Sequence, residues 1–142
     1  MNYLLDTNVL SEPTRLKPDP AVLAWLIAID EDRLYLSAVT LAEIQRGVSR
    51  LPRGTRRDRM QRWLEDDILE RFGDRILPVD HSIAIRWGQI MAEAESEGRT
   101  MNSLDGFIAA TTVVRDLTLV TRNSADFEHS VPKIVNPWMS TG

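Results

Sequence analysis

"YLLDTNVLSE", residues 3–12, sets Tyr3, Leu4 and Leu5 directly ahead of an acid, Asp6, and of two small polar residues, Thr7 and Asn8. Residues 2–5 read as a short buried strand, with a helix beginning near Asn8. A carboxylate has no place inside an apolar core, but it has one at the end of a strand that leads into a site. The elements that follow decide between a structural and a chemical acid.

Pro13, Pro18 and Pro20 interrupt the chain after that first helix. "PAVLAWLIAID" (20–30) opens on proline, as first helical turns often do, and its apolar residues suit a packed helix. "RLYLSAV" (33–39) reads as a second strand and "TLAEIQRGVSRL" (40–51) as a helix, broken at Pro52-Arg53-Gly54. From 56 to 72, Met60, Trp63, Leu64, Ile68, Leu69 and Phe72 recur at helical spacing. "RILPV" (75–79) is a third strand. Ile83, Trp87, Ile90, Met91 and Ala94 mark an amphipathic helix that ends around Gly98. "NSLDGFIAATTVVRD" (102–116) is helical, "LTLVT" (117–121) a fourth strand and "KIVNP" (133–137) a short fifth one.

Strands alternating with helices predict an α/β fold with a parallel sheet covered on both faces. Right-handed crossovers then set the strand-to-helix turns along one edge, and sites form outside the carboxyl ends of such strands. Asp6 lies at that edge, and other acids join it. Glu43 follows the second strand, Asp105 opens a later helix, and "TRNSADF" (121–127) brings Asn123 and Asp126 after the fourth strand.

Each acid alone has a structural reading. "TLAE" fits a capping box, Thr40 capping the helix and Glu43 reaching back, and Asn102 and Asp105 share that spacing. Asp6 fits a turn acid bonded to local amides. Capping does not account for the set, because three carboxylates on one edge repel each other and raise each other's pKa unless something positive sits between them. A hard divalent cation relieves this, takes oxygen ligands and leaves room for phosphate oxygens. A bound metal can activate water for phosphodiester cleavage.

These residues resemble a known family, the PIN-domain ribonucleases, and among them the VapC/FitB-like toxins of type II toxin–antitoxin pairs. The matching pieces are 3–12, "LSAVTLAEIQRGV" (36–48), 101–127 and "IVNPW" (134–138), in an order that covers nearly the whole chain. The resemblance implies a single PIN domain over 1–142, a PIN-like three-layer α/β/α sandwich with a central parallel sheet. It implies a homodimer, endoribonuclease activity dependent on Mg²⁺ or Mn²⁺, a cognate antitoxin as partner, and operator DNA reached only through that antitoxin. Asp6 and Asp105 resemble the principal metal ligands. Glu43 resembles the third acid, binding metal or orienting the attacking water. Thr7 and Asn8 resemble the small polar pair beside the first acid, and Thr121 the hydroxyl at the end of the fourth strand. Many relatives carry an acid where this chain has Asn123, so Asp126 is the alternative fourth ligand.

Composition bounds what remains. The 142 residues are 43% hydrophobic and 27% charged, without cysteine, which excludes disulfides and thiolate metal sites. No apolar run approaches the roughly 18 residues that span a membrane, and no signal peptide is visible, so a cytoplasmic location is the default. The net charge of −4 argues against attachment to nucleic acid by global charge. One local stretch is basic: residues 46–62 hold seven arginines and one acid. Arg46, Arg50 and Arg53 are its candidates for RNA phosphates, the alternative being a solvated helix face. Arg46 lies one turn after Glu43 and could pair with it in the resting protein. Trp25, Trp63 and Trp87 fall on apolar faces, Trp138 is placed to pin the tail, and His81 and His129 lack zinc-ligand spacing.

The function expected is a metal-dependent endoribonuclease acting as a toxin, cleaving RNA phosphodiesters with a metal-activated water. Two competitors stay open. One is a weakly active or inactive PIN-like module that works with its partner on operator DNA; the other is PIN-type RNA processing without toxicity.

Overall fold

Residues 1–139 are described by the structure, a computed structural model. The elements run β1 (Tyr3–Leu5), α1 (Thr7–Ser11), α2 (Pro20–Ala28), β2 (Leu34–Ser37), α3 (Ala38–Arg50), α4 (Thr55–Arg62), α5 (Leu69–Phe72), β3 (Ile76–Leu77), α6 (His81–Ser96), α7 (Ser103–Val114), β4 (Thr118–Val120) and β5 (Ile134–Val135). The five strands form one sheet in the order β3-β2-β1-β4-β5, and every pairing is parallel. Tyr3 pairs with Leu34 on one side and with Thr118 on the other.

Strand alternation divides the core into two layers. Leu5, Leu34, Leu36 and Val120 pack against Val9, Val22, Ile44, Val48, Leu64, Ile68 and Phe72, from the helices α1 to α5. Leu4 and Leu119 face the other way, onto Ile83, Ile90, Ile108, Ala109 and Ala110 of α6 and α7. The result is the expected α/β/α sandwich with a central parallel sheet. Strand order runs outward in both directions from β1 and β4, so the switch point of the topology falls between their carboxyl ends.

Three local details differ from the sequence reading. The second strand stops at Ser37, whose hydroxyl accepts the Val39 N–H at 3.0 Å and caps α3. Helix α3 therefore starts two residues earlier than "TLAE" suggests. Thr40 lies inside it, fully buried, and its hydroxyl finds no partner among the described residues. The capping box at Thr40 and Glu43 is not formed; a serine able to cap outweighed the strand preference of Val39. The 56–72 helix is not uniform, because Trp63–Ile68 between α4 and α5 is wound as a π-helix. It ends at Gly73, whose φ of +42° is a backbone conformation that glycine takes at least cost. Strands β3 and β5 have two residues each, shorter than the apolar runs that announced them.

Candidate active site

Asp6 leaves β1 with its own N–H bonded to the Val120 carbonyl of β4 at 3.0 Å, which anchors it at the switch point. It is the N-cap of α1, its Oδ1 accepting the Thr7 N–H at 2.8 Å. The local-amide reading of Asp6 is therefore correct as far as it goes. Its second oxygen, Oδ2, accepts a hydrogen bond from the buried Thr121 hydroxyl at 2.8 Å. The residue is 7% exposed. Burial raises the Asp6 pKa above its ordinary value, the bonds from Thr121 and Thr7 lower it, and the charge of Asp126 raises it again; the net direction is upward.

Glu43 projects from the second turn of α3, and its Oε1 accepts the Thr7 hydroxyl at 3.2 Å. Burial and then the charge of Asp6 raise its pKa; Thr7 opposes this, and Asp105 adds a smaller upward push. Asp105 sits in the first turn of α7, which Asn102 caps by accepting the Leu104 N–H at 2.8 Å. Asp105 and Asp126 line one cavity of about 230 Å³ with Thr100, Met101 and Asn102. Burial, then the charges of Asp6 and Asp126, push the Asp105 carboxyl up to about 6.

Helix α7 presents Asp105 at a fixed height because α6 grips its first turn. The Trp87 indole N–H donates to the Ser103 carbonyl at 3.0 Å, and its ring stacks on Phe107 at 4.9 Å. Gly106 permits this approach, since a Cβ there would lie 2.7 Å from the Met91 sulfur and 2.8 Å from Trp87 Nε1. Trp87, expected only on an apolar face, thus also makes a polar contact.

Asn8 and Thr121 tie the edge together. Asn8 Nδ2 donates to Thr121 Oγ1 at 3.5 Å, and its Oδ1 accepts the Arg122 N–H at 3.2 Å. The Asn123 N–H donates to Thr121 Oγ1 at 3.0 Å, while the Asn123 side chain is exposed. Asp126 closes a 3₁₀ turn at Ser124–Asp126, ahead of buried Phe127.

Asp6, Glu43, Asp105 and Asp126 stand near enough on this edge for their charges to influence one another. Among the described residues none of the four is in an ion pair. Arg46 is exposed and does not pair with Glu43, contrary to one expectation. Arg50, at the end of α3, and Arg53, in the loop before α4, are exposed and likewise without an acidic partner among the described residues. As folded, no three His, Cys, Asp or Glu among the described residues stand close enough to share one ion. The donor set nonetheless has the chemistry of a hard-cation site: oxygen only, anionic, and mutually repelling.

A second concavity, of about 930 Å³, contains none of these acids. It is lined by Thr14, Leu16, Met60 and Trp63 together with four basic side chains, Arg15, Lys17, Arg56 and Arg59. Glu12 shapes that wall: 2% exposed, it pairs with Arg15 at 3.2 Å and accepts the Asp19 N–H at 2.8 Å. The sequence reading had no signal for this groove, because its walls come from two segments far apart in the chain, 14–17 and 56–63.

Comparison with known proteins agrees with this fold. The PIN domain family matches residues 3–129. The chain is 41% identical to the VapC ribonuclease Y4jK of Sinorhizobium fredii over 135 residues, covering 95% of this chain and 96% of that one. It is 41% identical to toxin FitB of Neisseria gonorrhoeae, covering 95% of this chain and 97% of the relative. A solved structure of FitAB bound to an IR36 DNA fragment superposes with a TM-score of 0.92 at 38% identity, covering 99% of this chain and 98% of that one. The chain belongs to the PIN-domain family, among the VapC- and FitB-like toxins of toxin–antitoxin systems.

Proposed function

We propose that the protein is a metal-dependent endoribonuclease, the toxin of a toxin–antitoxin pair, working in the cytoplasm as a homodimer. The observation that carries this is the convergence of Asp6, Glu43, Asp105 and Asp126 on one sheet edge, three of them with raised pKa values partly because of one another. Asp6 and Asp105 would hold Mg²⁺ or Mn²⁺, with Glu43 as the third acid and Asp126 or Asn123 at the periphery. When bound, the cation supplies charge neutralisation and lowers the pKa of a water.

The chain's own residues do the rest. Thr121 and Thr7 fix the two Asp6 oxygens, so the carboxylate is oriented before substrate arrives. Glu43, held only by Thr7, is free to turn toward a water or an ion and to take up its proton. Asp105 requires deprotonation before it can act as a ligand, which couples ion binding to pH.

The solved structures of FitAB bound to an IR36 DNA fragment and of VapBC2 from Rickettsia felis bound to a promoter DNA fragment support a protein partner for this chain and DNA bound together with it; holding the toxin inactive is the role we assign to that partner. The large groove, which combines apolar Leu16, Met60 and Trp63 with four basic side chains, suits a partner segment carrying apolar and acidic side chains. A basic side chain of that partner placed among the acids would supply the charge that metal brings.

Incubating purified, partner-free protein with RNA in Mg²⁺ and in EDTA tests the reading. Internal cleavage in Mg²⁺ alone, lost in Asp6→Asn, is expected. The uncharged Asn123 and the spacing of the acids favour a second reading, a weakly active module that acts with its partner on DNA. Tight operator binding by the complex without RNA cleavage by the free protein would establish it instead.

A further inference from the structure

We propose that Arg122 is a substrate-binding residue, a guanidinium pre-set at the catalytic edge to receive an RNA phosphate; this rests on the ribonuclease reading above.

Among the described residues no basic side chain pairs with the four carboxylates, yet on the ribonuclease reading the substrate is a polyanion. A positive group must stand close by and be held away from the acids, or it would collapse onto them. Arg122 follows Thr121, the residue that donates to Asp6. Its backbone is pinned on both sides: its N–H donates to Asn8 Oδ1 at 3.2 Å, and its carbonyl accepts Asn136 Nδ2 at 3.2 Å. Its guanidinium lies over the Trp138 ring at 5.3 Å from the centroid. Trp138 is itself placed by Asn136, whose Oδ1 accepts the Trp138 N–H at 3.0 Å, and it packs on the core. Arg122 is exposed and, among the described residues, has no acidic partner.

A cation–π contact leaves the N–H groups of the guanidinium edge unused, so the fork stays free for a phosphate. Aromatic support also reduces the rotamer freedom that a long side chain would lose on binding. Arg46, Arg50 and Arg53 are solvated arginines without such support. Arg122 is the one whose backbone and head group are both tied to the same network as Asp6 and Asn8.

The competing role is structural, with Arg122 serving only to hold the chain end through Trp138. Equilibrium binding of a single-stranded oligoribonucleotide in EDTA, measured against KCl concentration, separates the two. The parent, Arg122→Ala, Arg122→Lys and Trp138→Phe are compared, with melting temperatures taken alongside. A phosphate contact predicts that Arg122→Ala binds about ten-fold more weakly at low salt. Its log–log salt slope should be shallower by about 0.7, one contact on a single strand. Arg122→Lys should recover the slope, and Trp138→Phe should retain it. If the Ala variant melts too low to assay, Arg122→Gln, which keeps a side chain of similar reach without charge, carries the same comparison. An unchanged slope and affinity in Arg122→Ala or →Gln, with a lowered melting temperature, would overturn the proposal while leaving the ribonuclease reading intact. A parent that neither binds RNA here nor cleaves it in Mg²⁺ removes both.

Discussion

The hydroxyl of Thr121 donates to Asp6 Oδ2 at 2.8 Å, joining residues 115 positions apart across the switch point between β4 and β1. The Thr121 oxygen also accepts from Asn8 Nδ2 and from the Asn123 N–H, so one hydroxyl ties the β1–α1 turn to the segment after β4. Replacing it with valine keeps shape and removes all three bonds. Thr121→Val should cost about 1–3 kcal/mol at neutral pH, where Asp6 most needs a donor. Urea unfolding of both proteins reads this, and equal midpoints would show that the hydroxyl is dispensable.

The charge on Asp6 has a cost in the ion-free fold. Its pKa is raised from 3.8, so the unfolded chain gives up this proton first as pH rises. Stability of the ion-free parent should therefore fall from about pH 4 upward, through the folded-state values, with Asp105 extending the fall past about 6. Asp6→Asn keeps an acceptor for the Thr7 N–H and loses the charge. In EDTA at pH 7 it should melt at or above the parent, while Mg²⁺ should raise the melting temperature of the parent only. A variant melting well below the parent in EDTA would make Asp6 a structural acid.

Much of this edge was legible in the sequence because acids after apolar strands are a local signal. Asp6, Glu43 and Asp105 needed only the strand and helix pattern to be placed. The hydrogen bonds that orient them were not legible. Asn8 reaches residues 121 and 122, and Asn136 reaches back to 122, and no spacing rule links these positions. Ser37 was hidden for another reason: Val39 is a better strand residue than helix residue, and only packing shows that the strand ends before it. The π-helical stretch at Trp63–Ile68 keeps an apolar pattern close to an α-helical one, so periodicity alone reads straight through it.

Asp126 earns its place in the site through electrostatics, since it raises both Asp105 and Asp6. Asp126→Asn should lower the Asp105 pKa from about 6 toward its ordinary 3.8 without reaching it, because burial is the larger cause. Carboxyl-carbon NMR titration in EDTA follows this directly. A titration identical to the parent's would place Asp126 outside the cluster.

At Gly106 the helix α7 packs tightly against Met91 and Trp87 of α6. Gly106→Ala forces a methyl into the Met91 sulfur and Trp87 indole, of which only Met91 is flexible enough to yield easily. A loss of about 1–3 kcal/mol is expected, as for other overpacked contacts. Because Trp87 also bonds Ser103, two residues before Asp105, its fluorescence should shift in the folded variant. An unaltered emission spectrum with parental stability would show that the contact is loose.

The most direct measurement is calorimetric titration of Mn²⁺ into the partner-free protein at pH 6 and pH 8, in buffers of different ionisation enthalpy. If the carboxylates form one cation site, the parent binds Mn²⁺ and releases protons at pH 6, where Asp105 is partly protonated. Release should be much smaller at pH 8, and Asp105→Asn should reduce it at pH 6 along with most of the affinity. A parent that binds no Mn²⁺, or one whose affinity survives in both Asp6→Asn and Asp105→Asn, would contradict the assignment.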